Sequence, residues 1–338
     1  MTAQDSATPD TPIAVDTTSG GRTPPSPTPG GGTAPSRTPG GRTAPPSASG
    51  SSARSGTLLA VLGVLAFSLT FPSTAWGLES FGPWSLVSVR SALAALLAGG
   101  FLLARRVPVP ARRHWAGLAV VAVGVVVGFP LLTTLALETS TSAHAAVVVG
   151  LLPLTTAVFA TLRTGRRPSR AFWWAAVAGA AVVLAFAVQQ SGGTLSSGDL
   201  YLFGALLVCA AGYTEGGRLA REMPGWQVIG WALIGCLPLS VAGTATALSF
   251  EPVRLSPHGV VGVLWVASVS TFFGLYVWYR GMASIGIARA SQLQLAQPLL
   301  TLVWAVLLLG EHLPAAAVAA AVAVLVCIAV TQRTGTRD

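Results

Sequence analysis

Gln294, Gln297, Thr301 and Trp304 follow one another at intervals of three, four and three residues. On an α-helix this spacing puts two amides, a hydroxyl and an indole on one face. Such a stripe can hydrogen-bond a polar solute and stack on its apolar part, or it can glue neighbouring helices together inside a bilayer. Pro298 lies within the stripe. It removes one backbone hydrogen bond and frees a carbonyl one turn earlier, which is sustainable only against protein or a watery cavity. Thr156 and Phe159 stand 145 residues before Thr301 and Trp304 and repeat the hydroxyl and the aromatic ring. These six are the candidate substrate-binding residues.

The charged candidates for coupling or gating are few. Arg90 is the one arginine well inside an apolar run. A charge at the bilayer centre costs roughly 2.5–3.5 kcal/mol on insertion scales, so it serves either as an anchor reaching the near interface or as a contact for an anionic solute or a gate. Glu215 is the one acid within a run, and with Arg218 and Glu222 it can form an ion-pair ladder or hold a coupling proton. Glu138 is a second coupling candidate, while His144 reads as an interfacial loop histidine. Tyr276, Trp278, Tyr279 and Arg280 cluster at one end of a run, as an aromatic belt or a gate. Pro72, Pro130, Pro153, Pro238 and Pro298 are expected helix kinks. No metal-ligand pair, nucleophile elbow or acid pair is present, so neither a metal, a cofactor nor a catalytic residue is expected. Cys209, Cys236 and Cys327 sit in apolar runs as packing residues.

The elements that must position these residues are membrane spans. The chain of 338 residues is 52% hydrophobic and only 9% charged, too little polar surface to clothe a soluble globule. Its net charge of +9 comes entirely from arginines scattered through short loops, which excludes a nucleic-acid surface. Residues 1–56 are Pro-, Gly-, Ser- and Thr-rich and are expected to be a disordered cytoplasmic tail. Ten runs follow, near 57–77, 84–104, 115–137, 143–162, 171–189, 200–219, 226–249, 259–280, 287–310 and 314–332. Each is about long enough to span, at roughly 20 residues.

If the N-terminus is cytoplasmic, eighteen arginines fall on the inner side, Arg254 alone falls outside, and Arg90 lies within a span. The positive-inside bias therefore puts both termini in the cytoplasm of a multi-pass cell-membrane protein. Pro153 to Ala160 also matches Pro298 to Ala305 at the offset of 145, with Gly165 matching Gly310, and Ala143 and Ala145 matching Ala288 and Ala290. Five spans per copy force the second copy to enter upside down. The expected fold is an all-α integral membrane protein of ten transmembrane helices in two inverted five-helix repeats, 57–190 and 198–332, with a short cytoplasmic end at 333–338.

Three stretches carry a family likeness. They are Phe67 to Trp76 leading through Gly82-Pro83 to Arg90; the Pro153 stretch; and Ala290 to Pro298 running into Leu309-Gly310-Glu311. At these residues the chain resembles the drug/metabolite transporter superfamily, specifically the ten-helix proteins made of two EamA repeats. The first repeat ends in Gly165-Arg166 where the likeness leads one to expect Gly-Glu. The resemblance implies export or exchange of a small metabolite or drug-like solute. The resulting expectation is a secondary transporter working by alternating access around a midplane pocket, as a monomer or homodimer, with a proton as candidate coupling ion. The alternative is a membrane-embedded sensor, scaffold or enzyme on the same fold.

Overall fold

Helix starts follow local chemistry. Ser196 and Asp199 form a reciprocal capping box, Thr141, Ser169 and Ser256 each accept a backbone N–H of the first turn, and Pro83 and Pro257 open their helices where a missing N–H costs nothing. The computed structural model describes residues 50–164, 169–285 and 293–334, and the described residues contain helices and no strands. The expected disordered tail, the turn at Gly165-Arg166 and the approach to the ninth span therefore lie almost wholly outside the described residues.

Among the described residues, eight helices are long and apolar enough to cross a membrane: α1 (Arg54–Leu78), α2 (Pro83–Ala104), α3 (Arg112–Ala136), α4 (Ser142–Arg163), α5 (Arg170–Gln190), α6 (Ser197–Leu219), α7 (Gly225–Phe250) and α8 (Pro257–Met282). Two shorter apolar helices complete the set, α9 (Ala296–Leu309) and α10 (Ala315–Thr334). Large apolar side chains face outward as well as inward: Leu97, Trp174, Leu239 and Leu307 are all exposed. An apolar exterior over an apolar core is what a bilayer demands.

The two halves, α1–α5 and α6–α10, correspond in detail. Helix α2 packs on α7, α4 on α9 and α5 on α10, while α1 packs on α8 as α6 packs on α3. Such pairing is what a two-fold relation between inverted repeats produces. The wide-wound π-helical stretch Ala122–Gly128 in α3 is matched in α8 by Trp265–Gly274. Glycine allows one close approach of backbones: a Cβ on Gly124 would collide with the Val208 carbonyl and stand 3.0 Å from Gly212 Cα. Here the small-residue pair Gly124 and Gly128 lets α3 lie against α6.

Proline explains the breaks. Pro72, Pro153 and Pro298 have no N–H for the carbonyls of Ser68, Val149 and Gln294. Helix α1 turns at Leu69, α4 at Gly150–Leu151 and α9 just ahead of its start at Leu295. The face expected to run unbroken from Gln294 to Trp304 is thus interrupted after its first residue. Pro130 follows directly on the π-helical stretch of α3, whereas α7 stays helical through Pro238.

Candidate functional site: a cavity between the interrupted helices

The three breaks meet around one space. A cavity of about 120 Å³ is lined from α1 by Phe67, Thr70 and Phe71, from α2 by Arg90, from α4 by Ala146, Val149, Gly150, Leu152 and Pro153, and from the α9 segment by Gln294, Gln297, Pro298 and Thr301. Helices α3, α6 and α8 close it with Phe129, Tyr213, Ser270 and Thr271. A Cβ on Gly150 would stand 3.4 Å from Pro298 Cγ, so the interrupted helices cross where each lacks a backbone hydrogen bond. Val149 and Gln294, whose carbonyls the prolines free, both line the space. Freed carbonyls, two amides and several hydroxyls beside phenyl rings can hold a small solute that is polar on one side and apolar on the other.

Of the six residues expected to bind substrate, Gln294, Gln297 and Thr301 line this cavity, while Trp304, Thr156 and Phe159 do not. Trp304 sits one turn beyond, where its Nε1 donates to Ser68 Oγ at 3.0 Å. Thr301 Oγ1 reaches two carbonyls, Ser68 O at 2.9 Å and Gln297 O at 3.0 Å. The lower part of the stripe therefore ties α9 to the broken α1. In α4 the lining runs back from Pro153 toward the helix start, so Thr156, one turn further on, falls outside it. Among the described residues Thr156 Oγ1 is buried without a hydrogen-bond partner, and Phe159 packs against the buried apolar core that includes Val149, Leu154 and Leu206.

The charged candidates separate by position. Arg90 is 5% exposed and its Nη2 donates to Thr271 Oγ1 at 2.9 Å. Glu215 is buried at the arginine-rich end, bonded to Arg218 Nε at 2.8 Å and in ion-pair contact with Arg163 Nη2 at 2.5 Å. Arg218 also reaches Glu222 at 3.1 Å, which completes the ladder. Glu222 lies just beyond α6, and hydrogen bonding to the buried His114, reinforced by the charges of His114, Arg218 and Arg113, holds its carboxyl below the ordinary carboxylate range. Glu138 is exposed. Tyr276 accepts from Arg280 Nη1 at 2.9 Å and meets Phe101 edge-on, and Tyr279 packs on the buried apolar residues around Leu118, Leu219 and Val228. None of Glu215, Glu138, Tyr276 or Tyr279 lines the cavity.

Two features lay beyond sequence reasoning. The first is the hydroxyl pair Thr70 and Ser270, 2.7 Å apart across the cavity wall, together with the neighbouring Thr271. The polar doublet Ser270-Thr271 inside an apolar run was the available signal. The second corrects the reading of His144. It is buried, stacked on Phe186 and bonded through Nε2 to Asp199 Oδ1 at 2.7 Å, rather than lying in an interfacial loop. The signal was the capping box at Ser196, which fixes Asp199 at the start of α6.

A second hollow of about 470 Å³ lies between α3 and α7, lined by Trp115, Trp231, Leu239 and other apolar residues. It is larger but offers no cluster of polar groups to orient a solute, which leaves the smaller cavity as the candidate site.

The pattern of the EamA-like transporter family matches this chain twice, over residues 54–188 and 196–332. The chain is 45% identical over 282 residues to an "Uncharacterized transporter YdeK" of Bacillus subtilis (strain 168), covering 82% of this chain and 97% of that protein. A solved crystal structure of 22% sequence identity superposes with a TM-score of 0.60 over 82% of this chain and 98% of its own, a likeness of fold. With two matching segments, each holding one five-helix half, the chain belongs to the EamA-like transporter family.

Proposed function

We propose that the protein is a secondary transporter that exports a small solute across the cytoplasmic membrane by alternating access of its two halves. The observation that carries this reading is the cavity built from three proline-interrupted helices, two of them at matching places in the repeats. Its volume of about 120 Å³ favours a metabolite-sized solute, since drug-sized ligands occupy pockets of roughly 300–1,000 Å³. Orientation rests on charge. Arg105, Arg112, Arg163, Arg218 and Arg280 gather at one end of the bundle and Arg254 stands at the other, so the first end is the cytoplasmic one. The Glu215 cluster then closes the cytoplasmic side. Held by two guanidiniums, Glu215 serves as a latch between α4 and α6 before it serves as a proton carrier.

The test is solute release from loaded cells or proteoliposomes, comparing the parent with Gln297→Ala at equal membrane abundance. Release should fall at least several-fold. Parental rates in Gln297→Ala would take the cavity out of the transport path.

A further inference from the structure

The cavity wall holds a positive charge that no acidic side chain among the described residues answers. Arg90 stands in its wall, almost fully buried. Thr271 Oγ1 accepts from Arg90 Nη2 at 2.9 Å and spends its own hydrogen on the Val266 carbonyl at 2.6 Å. This fixes the hydroxyl as an acceptor and pins one edge of the guanidinium. The guanidinium has further N–H donors, and among the described residues Thr271 is its only acceptor.

Every acid among the described residues stands elsewhere. Glu215 and Glu222 serve Arg163, Arg218 and His114. Asp199 serves His144, Ser191 and Ser196. Glu251 and Glu311 sit on the helix starts at Ser85 and Ser142, Glu79 faces Ser256 and His258, and Glu138 is exposed. A charge held away from water without a partner is costly, and that cost is returned when an anion enters. The planar fork of a guanidinium matches a carboxylate bidentately.

We propose that this cavity takes a small organic carboxylate, its oxygens on Arg90 and its apolar body against Phe67, Phe71 and Phe129. The proposal rests on the transporter reading only for what happens to the bound solute. Among the described residues the lining holds no acid to balance an ammonium charge beside Arg90, which disfavours amines and polyamines. The phenyl wall favours an organic acid over inorganic phosphate, and the modest volume limits its size.

The experiment is thermal unfolding of the purified full chain in detergent with benzoate, phenylacetate and succinate. Benzamide, benzylamine and inorganic phosphate serve as matched controls. At least one carboxylate should raise the unfolding midpoint in a saturable way, and the amide and amine should not. Arg90→Gln should weaken that response by roughly tenfold to a hundredfold, the size expected of a charge-assisted hydrogen-bonded pair. If Arg90→Gln does not fold, Arg90→Lys and Thr271→Val decide. A weakened carboxylate response at a parental ligand-free midpoint supports the proposal, and a lowered midpoint with the response intact overturns it.

Equal stabilisation by benzamide, a stronger response to phosphate, or no response to any carboxylate also overturns it. Transport is scored separately by flux of labelled benzoate from proteoliposomes. Binding at Arg90 without flux counts against the transporter alone, and flux of a neutral or cationic solute without carboxylate binding counts against this proposal alone.

Discussion

Thr301 Oγ1 lies 2.9 Å from the carbonyl oxygen of Ser68 and donates to it. That carbonyl is the one Pro72 leaves without its helical partner, so a residue of the second half repairs a defect in the first. Thr301→Val should strand a buried carbonyl and lower stability by about 1–3 kcal/mol. Thr301→Ser should keep most of it. Chemical unfolding of the detergent-solubilised protein reads both, and a valine variant as stable as the parent would show that the repair is dispensable.

The carboxylate of Glu311 accepts Ser142 N at 2.8 Å and Ala143 N at 2.9 Å, while that of Glu251 accepts Trp84 N at 3.1 Å and Ser85 N at 2.7 Å. Each is an acid of the second half holding the N-terminus of a first-half helix, where backbone N–H groups and the helix dipole both favour negative charge. Gly310, in the left-handed region at φ +64°, makes the reversal that delivers Glu311. Glu311→Ala and Glu251→Ala should each cost about 0.5–2 kcal/mol. Because the two serve different helices, the double variant should lose the sum. A marked shortfall would mean that the two caps open together.

Glu222 gives a pH dependence of known sign. Its pKa is depressed in the folded protein, chiefly by the hydrogen bond with His114 and secondarily by Arg218 and Arg113. A depressed carboxyl stabilises the fold above its ordinary pKa of 4.5 and loses that contribution as the pH falls through the folded value. The difference in unfolding midpoint between the parent and Glu222→Gln should therefore be full near neutrality and shrink on acidification below that ordinary value. A difference that grows with acid would assign the depression to the wrong group.

The helices were legible in the sequence because a bilayer leaves few choices: roughly 20 apolar residues between polar turns can only be a spanning helix. The prolines likewise announced the breaks at Leu69, Gly150–Leu151 and Leu295, since a missing N–H acts locally. What the sequence hid depends on which helices become neighbours. Periodicity placed Gln294, Gln297, Thr301 and Trp304 on one face, but the turn at Leu295 and the nearness of Ser68 divide that face between cavity and interface. Thr271 meets Arg90 across 181 residues, and Asp199 meets His144 across 55. Neither pair follows a helical repeat, and both are set by packing between halves.

The wide-wound stretches in α3 and α8 hold more chain than regular α-helices of the same rise would need. Each is a small reserve of slack. Deleting one residue from either would turn everything beyond it by about 100° about the helix axis, the twist of a single residue. For α8 this would carry Tyr276 and Tyr279 off their present faces while the other end of the helix stayed where it is. Sequence length in these two stretches is thus an angular setting, and it fixes which side chains the far ends of both helices show to their neighbours.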